Sequence, residues 1–141
     1  MSGSTIHPRK PFLLLSTRPE DVAAAAELVS FREKMGLGRD GIVQIRLEAR
    51  ELGRVDVRDY SGIILGGSPF NASEPVKSPL QLRVEADLDL MMDEVLDRDF
   101  PLFGACYGVG TVGTAIGAVI DGTYSESPRV ISVSVTDLGA R

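Results

Sequence analysis

The chain has 141 residues, a formal net charge of −5, one cysteine and one histidine. This length fits one domain with a real core; without a lysine or arginine cluster, the acidic balance argues against nucleic acid and anionic membrane surfaces as partners. A single cysteine excludes an internal disulfide, and no apolar run nears the roughly 20 residues of a membrane span.

Residues 1–10 form a polar segment without the apolar stretch of a signal peptide, so a flexible tail and a cytoplasmic chain are expected. His7 lies in that tail and reads as a solvated residue. Residues 11–141 are then one α/β domain. Phe12-Leu13-Leu14-Leu15-Ser16 is a short continuous apolar run, the pattern of a parallel strand buried on both faces. Thr17 stands three residues before Glu20, with Pro19 between them, the spacing of a helix cap. Val22, Ala25, Ala26 and Val29 then recur at helical spacing, and Gly36 and Gly38 end the helix near Met35.

A second strand is predicted over 42–47. In the connector 48–60, Leu52, Val55 and Val57 are expected to cover the core. A third strand over 60–67 runs into Gly66-Gly67, followed by a Pro/Ser/Asn loop over 68–79. Ser78, Pro79 and Gln81 have the residue types of a helix N-terminus. Leu80, Val84, Leu88, Met91, Met92 and Val95 mark one face of a helix reaching about Arg98. A fourth strand is predicted over 101–105 and a helix over 107–116. Val119-Ile120 reads as a short strand. Val130–Thr136 alternates, with Ile131, Val133 and Val135 on one side, as a half-buried and antiparallel strand would.

Strands alternating with helices predict a three-layer, flavodoxin-like fold, a mostly parallel sheet with helices on both faces. Ligands in such sheets bind beyond the carboxyl ends of the strands. Gly66-Gly67 and Cys106 both lie at such ends. Gly104-Ala105-Cys106-Tyr107-Gly108 joins a strand to a helix, the cysteine form of a nucleophile elbow. Gly104 and Gly108 suit a turn too tight for a Cβ on either side of the nucleophile. The helix start places Cys106 among unpaired N–H groups that favour a nucleophilic sulfur. Acyl transfer by cysteine needs a nucleophile, oxyanion donors and a base. Cys106 supplies the first; the backbone N–H groups of Tyr107 and of Gly67 or Ser68 are candidates for the second.

These pieces resemble the class I glutamine amidotransferase family, in particular stand-alone members similar to the amidotransferase part of GMP synthase. The matching segments are Gly62-Ile63-Ile64-Leu65-Gly66-Gly67-Ser68-Pro69 and Pro101-Leu102-Phe103-Gly104-Ala105-Cys106-Tyr107-Gly108, and the resemblance extends roughly over residues 12–138. It implies hydrolysis of the glutamine side-chain amide through a glutamyl thioester on Cys106, with the Gly66-Gly67 loop in the oxyanion hole. It implies no cofactor and no metal. Glutamine is the implied substrate, and a synthetase domain or subunit the implied ammonia acceptor.

Two positions depart from the family pattern. Gly110 stands where the family has a glutamine that helps hold substrate, and no histidine follows the elbow. The family's catalytic histidine and glutamate lie near the end of a longer domain, so the chain reads as its N-terminal portion. Glu126 is a solvated turn residue on this reading. The competing readings are a non-catalytic binding or regulatory protein that kept the fold, and a related cysteine hydrolase or chaperone-like protein. The last group carries a glutamate on an early strand end, where this chain has Ser16-Thr17-Arg18. Without the family's C-terminal segment, apolar sheet surface and a strand edge are expected to lie open, around Ile131, Val133 and Val135, so a homo-oligomer is expected.

Overall fold

A computed structural model describes residues 10–127 and 129–141. Residues 1–9, including His7, lie outside the described residues. Lys10 is tied down: its carbonyl accepts from Ser61 Oγ, and Ser61 N donates to the neighbouring Pro11 carbonyl at 2.8 Å.

The apolar runs become four strands: β1 (Phe12–Ser16), β2 (Ile42–Arg46), β3 (Gly62–Leu65) and β4 (Leu102–Gly104). All neighbouring strands pair in parallel, in the order β2-β1-β3-β4. Phe12 sits opposite Ile42 and Gly62, and Leu65 opposite Gly104. β1 and β3 are interior, which is why their side chains are almost all apolar and buried.

Alternation along β1 and β3 divides the core. Leu13, Leu15, Ile63 and Leu65 point to one face, with Ile45, and pack against Val84, Leu88, Met91, Met92 and Val95 of helix α2 (Pro79–Asp97). Leu14 and Ile64 point to the other face, with Ile42, toward Leu28 and Phe31 of helix α1 (Asp21–Lys34). Leu52 and Val57 close the first cluster, and Val55 packs against it, as predicted. Helix α3 (Tyr107–Ala115) leaves β4 on the α2 side. This α/β architecture, helices on both faces of a parallel sheet, is the one predicted.

The α2 start follows its residue types: Ser78 Oγ accepts from Gln81 N at 3.1 Å, and Pro79 occupies the first turn. Leu80, predicted on the buried face, is instead exposed, and Gln81 is buried. The Gln81 amide turns inward because it has partners there, donating to the Asn71 carbonyl at 2.9 Å and to Glu85 at 3.0 Å.

Three other expectations are corrected. Thr17 does not cap α1: Glu20 is the N-cap residue, without a side-chain bond, and Thr17 Oγ1 donates to the Gly67 carbonyl at 3.2 Å. The buried stripe of α1 runs through Ala24, Leu28 and Phe31 rather than Val22, Ala25, Ala26 and Val29; Val22 is 83% exposed. Finally, neither Val119-Ile120 nor Val130–Thr136 forms a strand; Ile131, Val133 and Val135 are exposed. An alternating pattern supplies a face but not a partner, and among the described residues no strand lies beside this segment to complete its hydrogen bonds. No helix of the described residues is long and apolar enough to cross a membrane.

Candidate functional site at the carboxyl end of the sheet

β3 and β4 end side by side. Ala105 N donates to the Leu65 carbonyl at 2.9 Å, so the Gly66-Gly67 turn and Cys106 leave from adjacent strand ends. Between strand and helix the chain reverses at Cys106, which has φ 56° and ψ −111°. A non-glycine residue there is a genuine outlier, and such strain persists only where the surroundings enforce it. Here the enforcement is close packing on both sides. A Cβ on Gly104 would lie 2.6 Å from the Gly108 carbonyl oxygen, and one on Gly108 would lie 2.5 Å from the Leu65 carbonyl oxygen. Both contacts are to backbone, so neither glycine can be replaced without moving a strand or the helix. Cys106 itself is exposed and free.

Tyr107, next along the helix, is buried and fixed from two sides. Its ring meets Phe70 edge-on, with centroids 6.2 Å apart, and its hydroxyl donates to Glu85 Oε1 at 3.1 Å. Lys77 Nζ lies 2.8 Å from the other Glu85 oxygen. Burial alone pushes the Glu85 carboxyl up, but the Lys77 ammonium and the hydrogen bonds from Gln81 and Tyr107 outweigh it and hold Glu85 below its ordinary value. Burial, together with the Glu85 carboxylate, pushes the Tyr107 phenol well above its ordinary value. The phenol therefore stays protonated at neutral pH and keeps donating to Glu85. This network ties the loop over 68–79 and α2 to the first turn of α3.

The Gly66-Gly67 turn is held as firmly. Gly67 N donates to Glu27 Oε1 at 2.8 Å, while Ser16 Oγ donates to Glu27 Oε2 at 2.7 Å. Of the three oxyanion candidates, Gly67 thus already has a partner for its N–H. Ser68 and Tyr107 make no backbone N–H hydrogen bond among the described residues. Ser68 Oγ is engaged, accepting from Phe70 N at 3.0 Å.

At Gly110 a Cβ would come within 2.9 Å of the Ala72 methyl. The loop over 68–79 therefore occupies the space a longer side chain would need. Glu126 is exposed and pairs with Arg129 at 3.1 Å, away from Cys106 in sequence and with no link to it. Among the described residues no three His, Cys, Asp or Glu side chains gather as a metal site.

Sequence reasoning missed Glu27 and Glu85. Each carried a signal: Glu27 is in phase with Ala24, Leu28 and Phe31, and Glu85 with Gln81, Leu88 and Met92. A carboxylate on the buried face of a helix needs a partner inside.

No family model matches the sequence, and no curated protein matches it. Solved structures do. A glutamine amidotransferase from Methylobacillus flagellatus superposes with a TM-score of 0.54 at 17% identity, over 77% of this chain and 39% of its own. A glutamine amidotransferase from Thermotoga maritima gives a TM-score of 0.53 at 19% identity, over 77% of this chain and 44% of its own. The chain therefore has the α/β fold found in glutamine amidotransferases. It spans about two-fifths of the length of the solved proteins it matches.

Proposed function

We propose that this chain carries the nucleophile half of a glutamine amidotransferase site, of the kind found beside GMP-forming synthetases. The observation that carries this reading is the elbow: an exposed Cys106 held at φ 56° between two glycines that have no room for a Cβ. On this reading the Cys106 sulfur attacks the side-chain amide carbon of glutamine. The carbonyl oxygen takes the negative charge, facing backbone N–H donors. The C–N bond then breaks, ammonia leaves with an added proton, and water hydrolyses the thioester. A synthetase domain or subunit would consume the ammonia, in the cytoplasm. The exposed apolar surface described below supports association with another copy of the chain.

The proton for the leaving ammonia needs an acid near Cys106, and the sequence offers only His7 as a histidine. Ammonia release from glutamine by the 141-residue chain is therefore expected near background. The nucleophile is tested separately, with an activated γ-glutamyl ester whose leaving group needs no proton. Intact-mass analysis should find one glutamyl group on the folded chain and none on Cys106→Ala. Glutamylation no faster than in the urea-unfolded chain would remove the reading.

A further inference from the structure

The Gly67 turn is clamped through both of its polar groups. Its N–H is held by Glu27 Oε1 at 2.8 Å and its carbonyl by Thr17 Oγ1 at 3.2 Å. The Glu27 side chain is only 11% exposed, and its other oxygen takes the Ser16 hydroxyl at 2.7 Å. Arg18 Nε stands 3.5 Å from Oε1 and balances the charge. Hydrogen bonds from N–H to a buried carboxylate are stronger than those to a neutral acceptor. The glycines are shaped to this clamp. A Cβ on Gly66 would sit 2.7 Å from Glu27 Oε2, and one on Gly67 would strike the Arg18 guanidinium.

With Gly67 N–H committed, the next donor along the turn is Ser68 N–H, which has no hydrogen bond among the described residues. Across the adjacent strand end, Tyr107 N–H is the first of α3 and has no intrahelical acceptor. Resting on the acyl-transfer reading above, we propose that Glu27 is a positioning residue for the oxyanion site. By fixing Gly67 it presents Ser68 N–H, together with Tyr107 N–H, to the oxyanion that forms when Cys106 attacks an acyl carbon. Gly67 N–H is a structural donor and not a catalytic one.

Two reactions of the same sulfur separate this role from mere folding. With p-nitrophenyl acetate, the sulfur–carbon bond forms as the carbonyl pair moves to oxygen. The carbon–oxygen bond then breaks, and p-nitrophenolate leaves with the electron pair. With iodoacetamide, the sulfur–carbon bond forms and iodide leaves; no oxyanion appears. Both reactions draw on the same Cys106 sulfur at one pH and only the acylation forms an oxyanion, so their ratio responds to the oxyanion site. Cys106 is the chain's only cysteine, so intact mass and p-nitrophenolate release read it directly.

In the whole 141-residue chain, Glu27→Ala should lower the acylation-to-alkylation ratio by about tenfold or more. Its alkylation rate should stay within about twofold of the unsubstituted chain, because sulfur exposure is unchanged. Glu27→Gln keeps an oxygen acceptor for Gly67 N–H and should recover most of the loss. A Glu27→Ala ratio equal to the unsubstituted value overturns the proposal, and a raised ratio does so by showing that Glu27 withholds Gly67 N–H from the site. Should Glu27→Ala fail to fold, Thr17→Val loosens the same turn from its carbonyl side. It should lower the ratio severalfold, and an unchanged ratio there also overturns the proposal. If the unsubstituted chain shows the same ratio folded and unfolded, the acyl-transfer reading itself falls, and this inference falls with it.

Discussion

The two faces of the sheet are covered to different degrees. On one, α2 and α3 enclose Leu13, Leu15, Ile63 and Leu65 in a cluster that extends from Ile45 to Tyr107. On the other, α1 and Leu37 just beyond it meet Leu14, Ile42 and Ile64. Beside it lies an apolar groove of about 870 Å³, bordered by Phe31, Ile64 and Phe103. Phe103 touches Phe31 edge-on at 6.3 Å and is otherwise 59% exposed. The elbow belongs to the better-packed side: α3 leaves it toward α2, and Tyr107 belongs to the larger cluster. Strain at Cys106 therefore sits where packing can enforce it, while the opposite face keeps an apolar groove open.

The largest test of this contrast compares neighbours in β3. Ile63→Ala should cost about 4 kcal/mol, because its side chain belongs to the larger cluster against α2 and its loss leaves a cavity there. Ile64→Ala, on the grooved face, should cost about 2 kcal/mol, since atoms bordering a groove can relax into the gap. Urea unfolding measures both, and equal costs would mean that the two faces are packed alike. Gly108→Ala should cost about 2–3 kcal/mol, because the new methyl meets the Leu65 carbonyl rather than a movable side chain. An intact transition midpoint for that variant would show that the elbow is not tightly enclosed.

Cys106→Gly should be more stable than Cys106→Ala by about 1–2 kcal/mol, since glycine accepts a positive φ without strain. Equal stability would mean that the turn stores no strain. The effect of pH at Glu85 is smaller. Its carboxyl is held below its ordinary value in the fold, so the network contributes fully at neutral pH and is lost as pH falls through the acidic range. Glu85 is partly exposed, so solvent limits this contribution to about 1 kcal/mol or less. Thermal melts of the unsubstituted chain and Glu85→Gln should therefore converge on acidification. On the open face, Phe103→Lys should change stability by under about 0.5 kcal/mol and reduce binding of a hydrophobic dye. Unchanged dye binding would place the exposed apolar surface elsewhere.

Much of the fold was legible because it rests on local patterns. The apolar run of β1, the Ser78-Pro79 start of α2 and the two glycines around Cys106 each dictate a conformation from neighbouring residues alone. The phase of α1 was not legible, because Ala23 to Ala26 are four consecutive alanines that fit any face. Leu28, Phe31 and Glu27 set it, through contacts with the sheet and with Gly67 that are distant in sequence. The same limit applies to Val130–Thr136, whose alternation says nothing of whether a strand lies beside it. At the site, the cysteine was legible from its own turn. The engagement of Gly67 was not, because its partner lies 40 residues earlier, on a helix.

On the proposed reading, the turn at Cys106 is built for acyl transfer and not merely exposed. The most direct test is the ratio of acylation by p-nitrophenyl acetate to alkylation by iodoacetamide, each measured at one pH in the folded chain and in the same chain unfolded in urea. Donors fixed at the oxyanion should make the folded ratio at least about tenfold the unfolded one. Equal ratios would contradict the account, leaving Cys106 an accessible thiol on an amidotransferase-like fold.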